Sequence, residues 1–499
     1  MKKNKLTQSL MSGRRLARSA IWNFAGMASP LIVGLVAMPL LIDGMGKERF
    51  GLLTIIWMGV GYFSLFDMGL GRALTKLVAE RLGKGQTTDM GRLIWTAVLL
   101  IVGLGMFGTA VVLLGAEPLI RHVLNVDPKI QEETIKAFRI LAIGLPVVVF
   151  TTAMIGLLEA HQRFASIAAV RIPLGILTFA GPLATTQFTP DLVWATTALL
   201  FARVTAAATL FFLAASVRKE LKNPQLPSRK VIGPLFHFGG WLTVTNIISP
   251  MMVYFDRFII GSMLSMTAVT FYVTPYEVVS RVQRIPQAMM GVIFPAMATA
   301  MAGERERLVY LYKQTIRILL LLMLPPMAAI FLLAHEGLEL WLGPQFSASS
   351  TAVVQWLALG VLINSFARVP LTLLQSSGRP DIVAKTHLVE LLPYGVLLWF
   401  MTSRFGIAGS AAAWSIRMLF DSLLLNQFAS RMVPELRNAI KHTYVTMALL
   451  LGFSTLAFFI TSLEGRGLLL AATLGHSLIR GWPIVNKLLA LRQRTVSLV

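Results

Sequence analysis

The chain has 499 residues, of which 56% are hydrophobic and only 14% charged, with no cysteine and a formal net charge of +22. No soluble fold needs that apolar share over such a length, whereas helices facing lipid do. The missing cysteines exclude disulfides, thiolate metal sites and cysteine nucleophiles. The surplus of Lys and Arg lies in gaps between apolar stretches, not in basic runs interleaved with aromatics, which argues against nucleic acid as a partner.

A basic tail over 1–19, carrying Lys2, Lys3, Lys5, Arg14, Arg15 and Arg18, leads into about fourteen stretches long enough, or nearly so, to span a bilayer. The first six are expected at 20–42, 50–70, 92–115, 138–159, 165–186 and 192–216, together forming an N-lobe over 20–217. A linker over 218–234 separates them from a C-lobe over 235–430, with spans at 235–262, 268–299, 316–335, 351–375, 385–402 and 407–428. Two additional spans, 442–462 and 467–488, and a basic tail fill 431–499. The first stretch is longer than a signal-peptide core and runs straight into another span, so it reads as an uncleaved anchor. Basic residues crowd the tail and the even-numbered gaps, as in Arg72–Arg92, Arg218–Lys230, Arg305–Arg317 and Arg431–Lys441. Some odd gaps, such as Gly261–Ala268 and Glu336–Ser350, have none. This bias places the basic gaps and both termini in the cytoplasm of a bacterial inner membrane.

The two halves repeat. Trp22, Asn23 and Pro30 in the first span match Trp241, Asn246 and Pro250 in the seventh. The run Leu157-Leu158-Glu159-Ala160-His161-Gln162-Arg163 ends the fourth span, and Leu373-Leu374-Gln375-Ser376-Ser377-Gly378-Arg379 ends the tenth. A shift of six spans gives parallel copies related by an axis along the membrane normal. The expected fold is therefore an all-α integral membrane protein with two pseudo-symmetric six-helix lobes plus two C-terminal helices. Proline removes a backbone donor and kinks a helix. Pro30 and Pro250, at similar places in the first helix of each lobe, are the expected hinges.

Ionisable residues inside spans are costly, so each is a functional candidate. Basic groups exceed acidic ones, and a net cationic cavity suits a phosphate or pyrophosphate. Arg203, Arg281, Arg284, Arg368 and Arg171 are the candidates for holding that anion. Arg171, Arg368 and Asp67 lie in the inner third of their spans, where arginine also reaches the headgroups by snorkelling. Glu277 and Arg281 lie four apart, as do Arg417 and Asp421, so each pair shares a helix face. Asp67, Glu277 and Glu390 are candidates for coupling to a proton or sodium ion, the one ionic requirement expected. The chain has no phosphate-binding G-x-x-x-x-G-K-[ST] loop and no H-E-x-x-H pair. Its seven histidines lack metal-ligand spacing, so no enzyme, metal or cofactor is expected.

Gly51-Leu52-Leu53 leads into Gly61-Tyr62-Phe63-Ser64-Leu65-Phe66-Asp67-Met68-Gly69-Leu70-Gly71-Arg72-Ala73-Leu74. Further on stand Phe255-Asp256-Arg257-Phe258-Ile259-Ile260-Gly261, Phe294-Pro295 and Gly406-Ile407-Ala408-Gly409-Ser410-Ala411-Ala412. In this order, over about the first 430 residues, the text resembles the polysaccharide transporter family of Wzx-type oligosaccharide flippases. That family belongs to the superfamily of multidrug exporters and lipid II flippases. The resemblance implies two six-helix lobes around a cavity that opens alternately to cytoplasm and periplasm. It also implies a substrate in which a polyprenyl pyrophosphate carries a short glycan. Membrane lipids, a polysaccharide polymerase and other assembly proteins are the implied partners. The alternatives are a cation-coupled drug or lipid II exporter, which would prefer unpaired carboxylates to surplus arginine, and a membrane glycosyltransferase or polymerase, which would need an acid or base on an exposed loop.

Overall fold

The computed structural model of the chain describes residues 32–63, 67–84, 89–228, 232–233, 252, 254–301, 303–458, 460 and 462–496. Among these, no strand occurs. The chain divides into two compact units, Met1–Thr270 and Phe271–Val499. Pro30 and Pro250, the expected hinges, lie outside the described residues.

The first unit contains α1 (Ile32–Met45), α2 (Lys47–Phe63), α3 (Leu70–Gly83), α4 (Met90–Pro118), α5 (Pro128–Ile143), α6 (Leu145–Ala160), α7 (Phe164–Thr186), α8 (Leu192–Val217) and α9 (254–263). Asp127 and Asp191 accept the backbone N–H of Lys129 and Val193 at 2.9 and 2.7 Å, satisfying free donors at the starts of α5 and α8. Arg49 grips Glu133 through two bonds of 2.8 and 2.9 Å, and Glu133 also accepts the Leu192 N–H at 2.7 Å, so one carboxylate ties α2, α5 and α8 together. That bond and the carboxylate's charge hold the Arg49 guanidinium above its already high range. Residues 261–270 are fastened to this unit. The Asn125 N–H donates to the Gly261 carbonyl at 2.9 Å, its side chain to Leu264 O at 2.7 Å, and the Thr270 hydroxyl to Lys47 O at 2.5 Å.

α10 (Met266–Arg281) starts at the boundary and leads into α11 (Arg284–Met301), α12 (Arg305–Leu332), α13 (Ala334–Leu342), α14 (Pro344–Ser376), α15 (Pro380–Met432), α16 (Arg437–Phe458) and α17 (Leu463–Val496). Seven helical stretches among the described residues are long and apolar enough to cross a membrane. α15 counts once among them but holds two rods, separated at Gly406 (φ 59°, ψ −143°). The rods are antiparallel, since Thr402 bonds Ser410 at 2.8 Å and Glu390 and His387 reach Arg417 and Asp421. Along the first rod Val389, Leu392, Val396 and Trp399 are exposed, while Thr386, Glu390, Tyr394 and Leu398 are buried. Such an apolar stripe on a helix surface is a lipid-facing surface. Hydroxyls return to carbonyls one turn back, as Thr96 to Arg92, Thr196 to Leu192 and Thr315 to Leu311, so these hydroxyls find partners without water. The fold is an all-α, multi-pass membrane protein.

Three expected continuous spans are interrupted. Over 50–70, α2 ends at Phe63 and α3 starts at Leu70, with Met68 and Gly69 left-handed at φ 48° and 70°. Over 138–159 the helix turns at Gly144, because Pro146 has no N–H for the Ala142 carbonyl. The Thr109 hydroxyl fills that place at 2.8 Å. Over 268–299 the helix breaks at Val282–Gln283, because the Pro286 ring bars a helical carbonyl at Val282 and offers it no donor. Short i→i−3 bonds, Val282 N–H to Val279 O at 3.3 Å and Gln283 N–H to Ser280 O at 3.1 Å, close the end of α10.

The expected repeat appears in the backbone at a shift of 216 positions (157 to 373). His161, Gln162 and Arg163 donate their N–H groups to the carbonyls of Leu157, Glu159 and Leu158 at 3.3, 2.9 and 2.9 Å. Ser377, Gly378 and Arg379 donate to Leu373, Gln375 and Leu374 at 3.0, 3.1 and 3.0 Å. Each set ends its helix with one left-handed residue, Gln162 (φ 57°) or Gly378 (φ 75°). The α5–α6 stretch before the first set starts at Pro128 and α14 before the second at Pro344, and the following helices start at Phe164 and Pro380, both at that same shift. The breaks in the second and eighth expected spans obey it too, since Asp67 corresponds to Gln283.

Candidate functional site

In the first unit, Asp67 stands at the break between α2 and α3. Its Oδ1 accepts the Gly69 N–H at 2.8 Å, and its carboxylate also faces the Gly71 N–H and the Thr152 hydroxyl of α6. The start of a helix presents free N–H groups and a positive dipole end, so a carboxylate is well placed there. Gly71 is required by this packing: a Cβ on it would lie 2.9 Å from Asp67 Oδ2 and 3.2 Å from Thr152 Oγ1. A Cβ on Gly156 of α6 would lie 2.7 Å from Gly71 O, so α3 and α6 meet through two glycines. Asp67 is thus a buried cap whose acceptors are occupied.

The corresponding place in the second unit carries opposite charge. Gln283, in the break between α10 and α11, accepts an N–H from Arg368 Nη2 of α14 at 3.4 Å. Arg368 stands 216 positions after Thr152, so the same two places in the repeat touch in both units. Nε of Arg368 is buried with no hydrogen-bond partner. Arg281 ends α10 and bonds Glu277 at 3.0 Å, as their spacing predicts. Arg284 opens α11 with an exposed side chain. The second unit therefore gathers Glu277, Arg281, Gln283, Arg284 and Arg368 around one interruption of a membrane helix. Irregular backbone at that depth is tolerated where protein or a wet cavity surrounds it.

The other two candidate arginines stand elsewhere. Arg203 on α8 has a buried Nε without a hydrogen-bond partner, beside a cleft lined by Val60, Leu141, Val148 and Leu199 with about 10 Å³ of free space, room for about one water. Arg171 is exposed on α7.

Glu390 and Arg417 meet across the two rods of α15 at 3.5 Å, and Arg417 lies 5.2 Å over the Tyr394 ring. His387 Nε2 stands 3.5 Å from Asp421 Oδ1. Both Glu390 oxygens and Oδ1 of Asp421 are buried and accept no hydrogen bond. Sequence reasoning linked Arg417 with Asp421 through helical spacing but missed Glu390 as its neighbour and left His387 aside. The pairing needs the reversal at Gly406, which brings distant residues to one level. Gln283 and Thr152 were missed as well, although the repeat carried the signal. A third buried pair, Asp256 and Arg257 on α9, has its atoms 3.2 Å apart, with Arg257 4.8 Å from the Tyr254 ring centre. No group of three or more metal-ligating side chains occurs among the described residues.

The multi-pass helical fold with broken helices resembles that of solved transporters of the MATE and MOP type. An inward-facing multidrug resistance MATE family transporter matches it with TM-score 0.69, at 15% identity, over 84% of this chain and 99% of that one. The lipid II flippase MurJ in an inward closed conformation matches with TM-score 0.69, at 14% identity, over 94% and 100%. Residues 45–351 match the family model described as polysaccharide biosynthesis protein. A Shigella flexneri protein named as a candidate O-antigen transporter is 30% identical over 426 residues, covering 85% of this chain and all of its own length. The chain belongs to this polysaccharide biosynthesis protein family, as its resemblance to Wzx-type flippases implies.

Proposed function

We propose that this protein is a flippase that moves a polyprenyl-pyrophosphate-linked oligosaccharide from the cytoplasmic to the periplasmic leaflet of the bacterial inner membrane by alternating access. The observation that carries this reading is the cationic break between α10 and α11, where Arg368 and Arg281 meet a discontinuous helix. Planar guanidinium groups match phosphate oxygens two at a time. Arg368, with its free Nε, holds the pyrophosphate, Arg281 and Arg284 extend the site, and Arg203 and Arg171 are separate candidates for later contacts. The lobes 20–217 and 235–430 carry the alternating access, with 431–499 as two additional helices. Pro30 and Pro250 act as the hinges. Both termini lie in the cytoplasm. A polymerase and other assembly proteins take up the product, and the chain itself performs no covalent chemistry.

Of the three coupling candidates, Glu277 is bonded to Arg281 and Asp67 is a cap, so the coupling role falls to the cluster that contains Glu390. The second reading, a cation-coupled exporter of drugs or lipid II, draws support from the free oxygens of Glu390 and Asp421.

Proteoliposomes loaded with a fluorescent polyprenyl-pyrophosphate disaccharide test the flippase reading. Wild-type protein is expected to make the outer-leaflet glycan accessible to lectin, and Arg368→Gln to lose this while still inserting. Equal flipping by the variant, or export of a drug cation without movement of the lipid, would favour the second reading. Reporter fusions after Ser216 and Leu488 should report cytoplasm, and those after Gln187 and Gly343 periplasm; a periplasmic signal at Leu488 would mean that the last two spans are miscounted.

A further inference from the structure

The cluster between the two rods of α15 has no structural need for its charges. A buried carboxylate oxygen without a donor is expensive, and an apolar pair would pack there at less cost. Yet Glu390 and Asp421 are 7% and 3% exposed, and three of their oxygens accept no hydrogen bond. Among the described residues, the charged groups facing them are Arg417 and His387 from α15 itself and, toward Asp421, Arg368 from α14. From α12 and α16 come Tyr312, bonded to Asn426, and Tyr444, bonded to the Leu423 carbonyl.

Among the described residues, two guanidinium groups thus face two carboxylates. An anion that engages Arg368 takes over one of those positive charges, and the two carboxylates are left with Arg417 alone. One proton, taken up by the His387 imidazole 3.5 Å from Asp421, restores the balance. His387 is suited to the task because its side chain is 20% exposed, whereas Glu390 and Asp421 are sealed. Imidazole gains and loses a proton near neutral pH.

We propose that Glu390, Arg417, Asp421 and His387 form a proton site, and that His387 takes up a proton when an anion binds Arg368. The linkage to the anion rests on the pyrophosphate reading of Arg368; the proton site does not. The pyrophosphate would then cross the bilayer with part of its charge compensated inside the protein.

The test uses the full chain in lipid nanodiscs with farnesyl pyrophosphate as probe. Calorimetry in two buffers of different ionisation heat gives the protons taken up per probe bound between pH 6 and 8. The probe's own titration is common to all variants and cancels between them. Wild-type protein is expected to take up about one proton more than His387→Gln or the isosteric Asp421→Asn, and its affinity should fall more steeply with pH, by up to about tenfold per unit. Equal uptake and equal slopes in all three proteins overturn the linkage. Should wild-type protein bind no farnesyl pyrophosphate at any pH, the pyrophosphate reading fails. The proton site is then judged without ligand, by NMR of labelled histidine. A titrating signal that is missing in His387→Gln and shifts its midpoint in Asp421→Asn upholds it, and a His387 midpoint indifferent to Asp421→Asn overturns it.

Discussion

The two helix breaks stand at matching places in the repeat and carry two chemistries. At the first, Asp67 faces Thr152 and backbone N–H groups; at the second, 216 positions on, Gln283 faces Arg368. The topology of each lobe fixes where the helix stops and which neighbour it touches, so those places recur. The side chains at those places are under no such constraint. One break became a satisfied cap, and the other kept a buried guanidinium with a donor to spare. A repeat of backbone position is thus no repeat of side-chain chemistry, and on this difference rests the proposal that the second half holds the anion.

Writing the first break's charge into the second should have the largest effect. Gln283→Asp would pair Arg368 and take its charge away from a ligand, so glycan export should fall at least about tenfold, the scale of one charge-assisted bond. Surface glycan measured against protein abundance on a blot checks this; full export would separate the two breaks from the chemistry. Next is Gly71→Ala, whose Cβ would press on Asp67 and Thr152 at 2.9 and 3.2 Å. Overpacking of this kind costs about 1–3 kcal/mol, seen as a lower thermal midpoint in detergent. Removing the cap by Asp67→Ala should destabilise by about 1 kcal/mol, with pyrophosphate binding retained. A loss of binding at unchanged stability would return Asp67 to the working site. The smallest effect belongs to the matched helix ends. The bond from Arg379 holds the Asp381 carboxyl below its usual range. Its contribution is present above the ordinary carboxylate value of about 4 and fades as pH falls through the lower folded value. Both groups are exposed, so Asp381→Asn should leave the midpoint at neutral pH almost unchanged.

Much of the fold was legible because lipid imposes long apolar helices and charge sorts the gaps. The repeat was legible at 157–163 and 373–379, where both copies need the same left-handed helix end. The breaks were harder to see. Pro286 announces the second only if its effect is assigned to Val282, four residues earlier, and the first depends on Met68 and Gly69 adopting left-handed backbone inside an apolar run. Among site residues, Glu277–Arg281 followed from helical spacing alone. Glu390–Arg417 did not, because it forms across the reversal at Gly406.

The central claim, that the second break holds the anion and the first does not, is tested most directly by affinity for farnesyl pyrophosphate in nanodiscs. Arg368→Gln should weaken binding at least about tenfold, and Asp67→Asn should leave it within about twofold. Equal weakening by both substitutions, or unchanged affinity in Arg368→Gln, would contradict it.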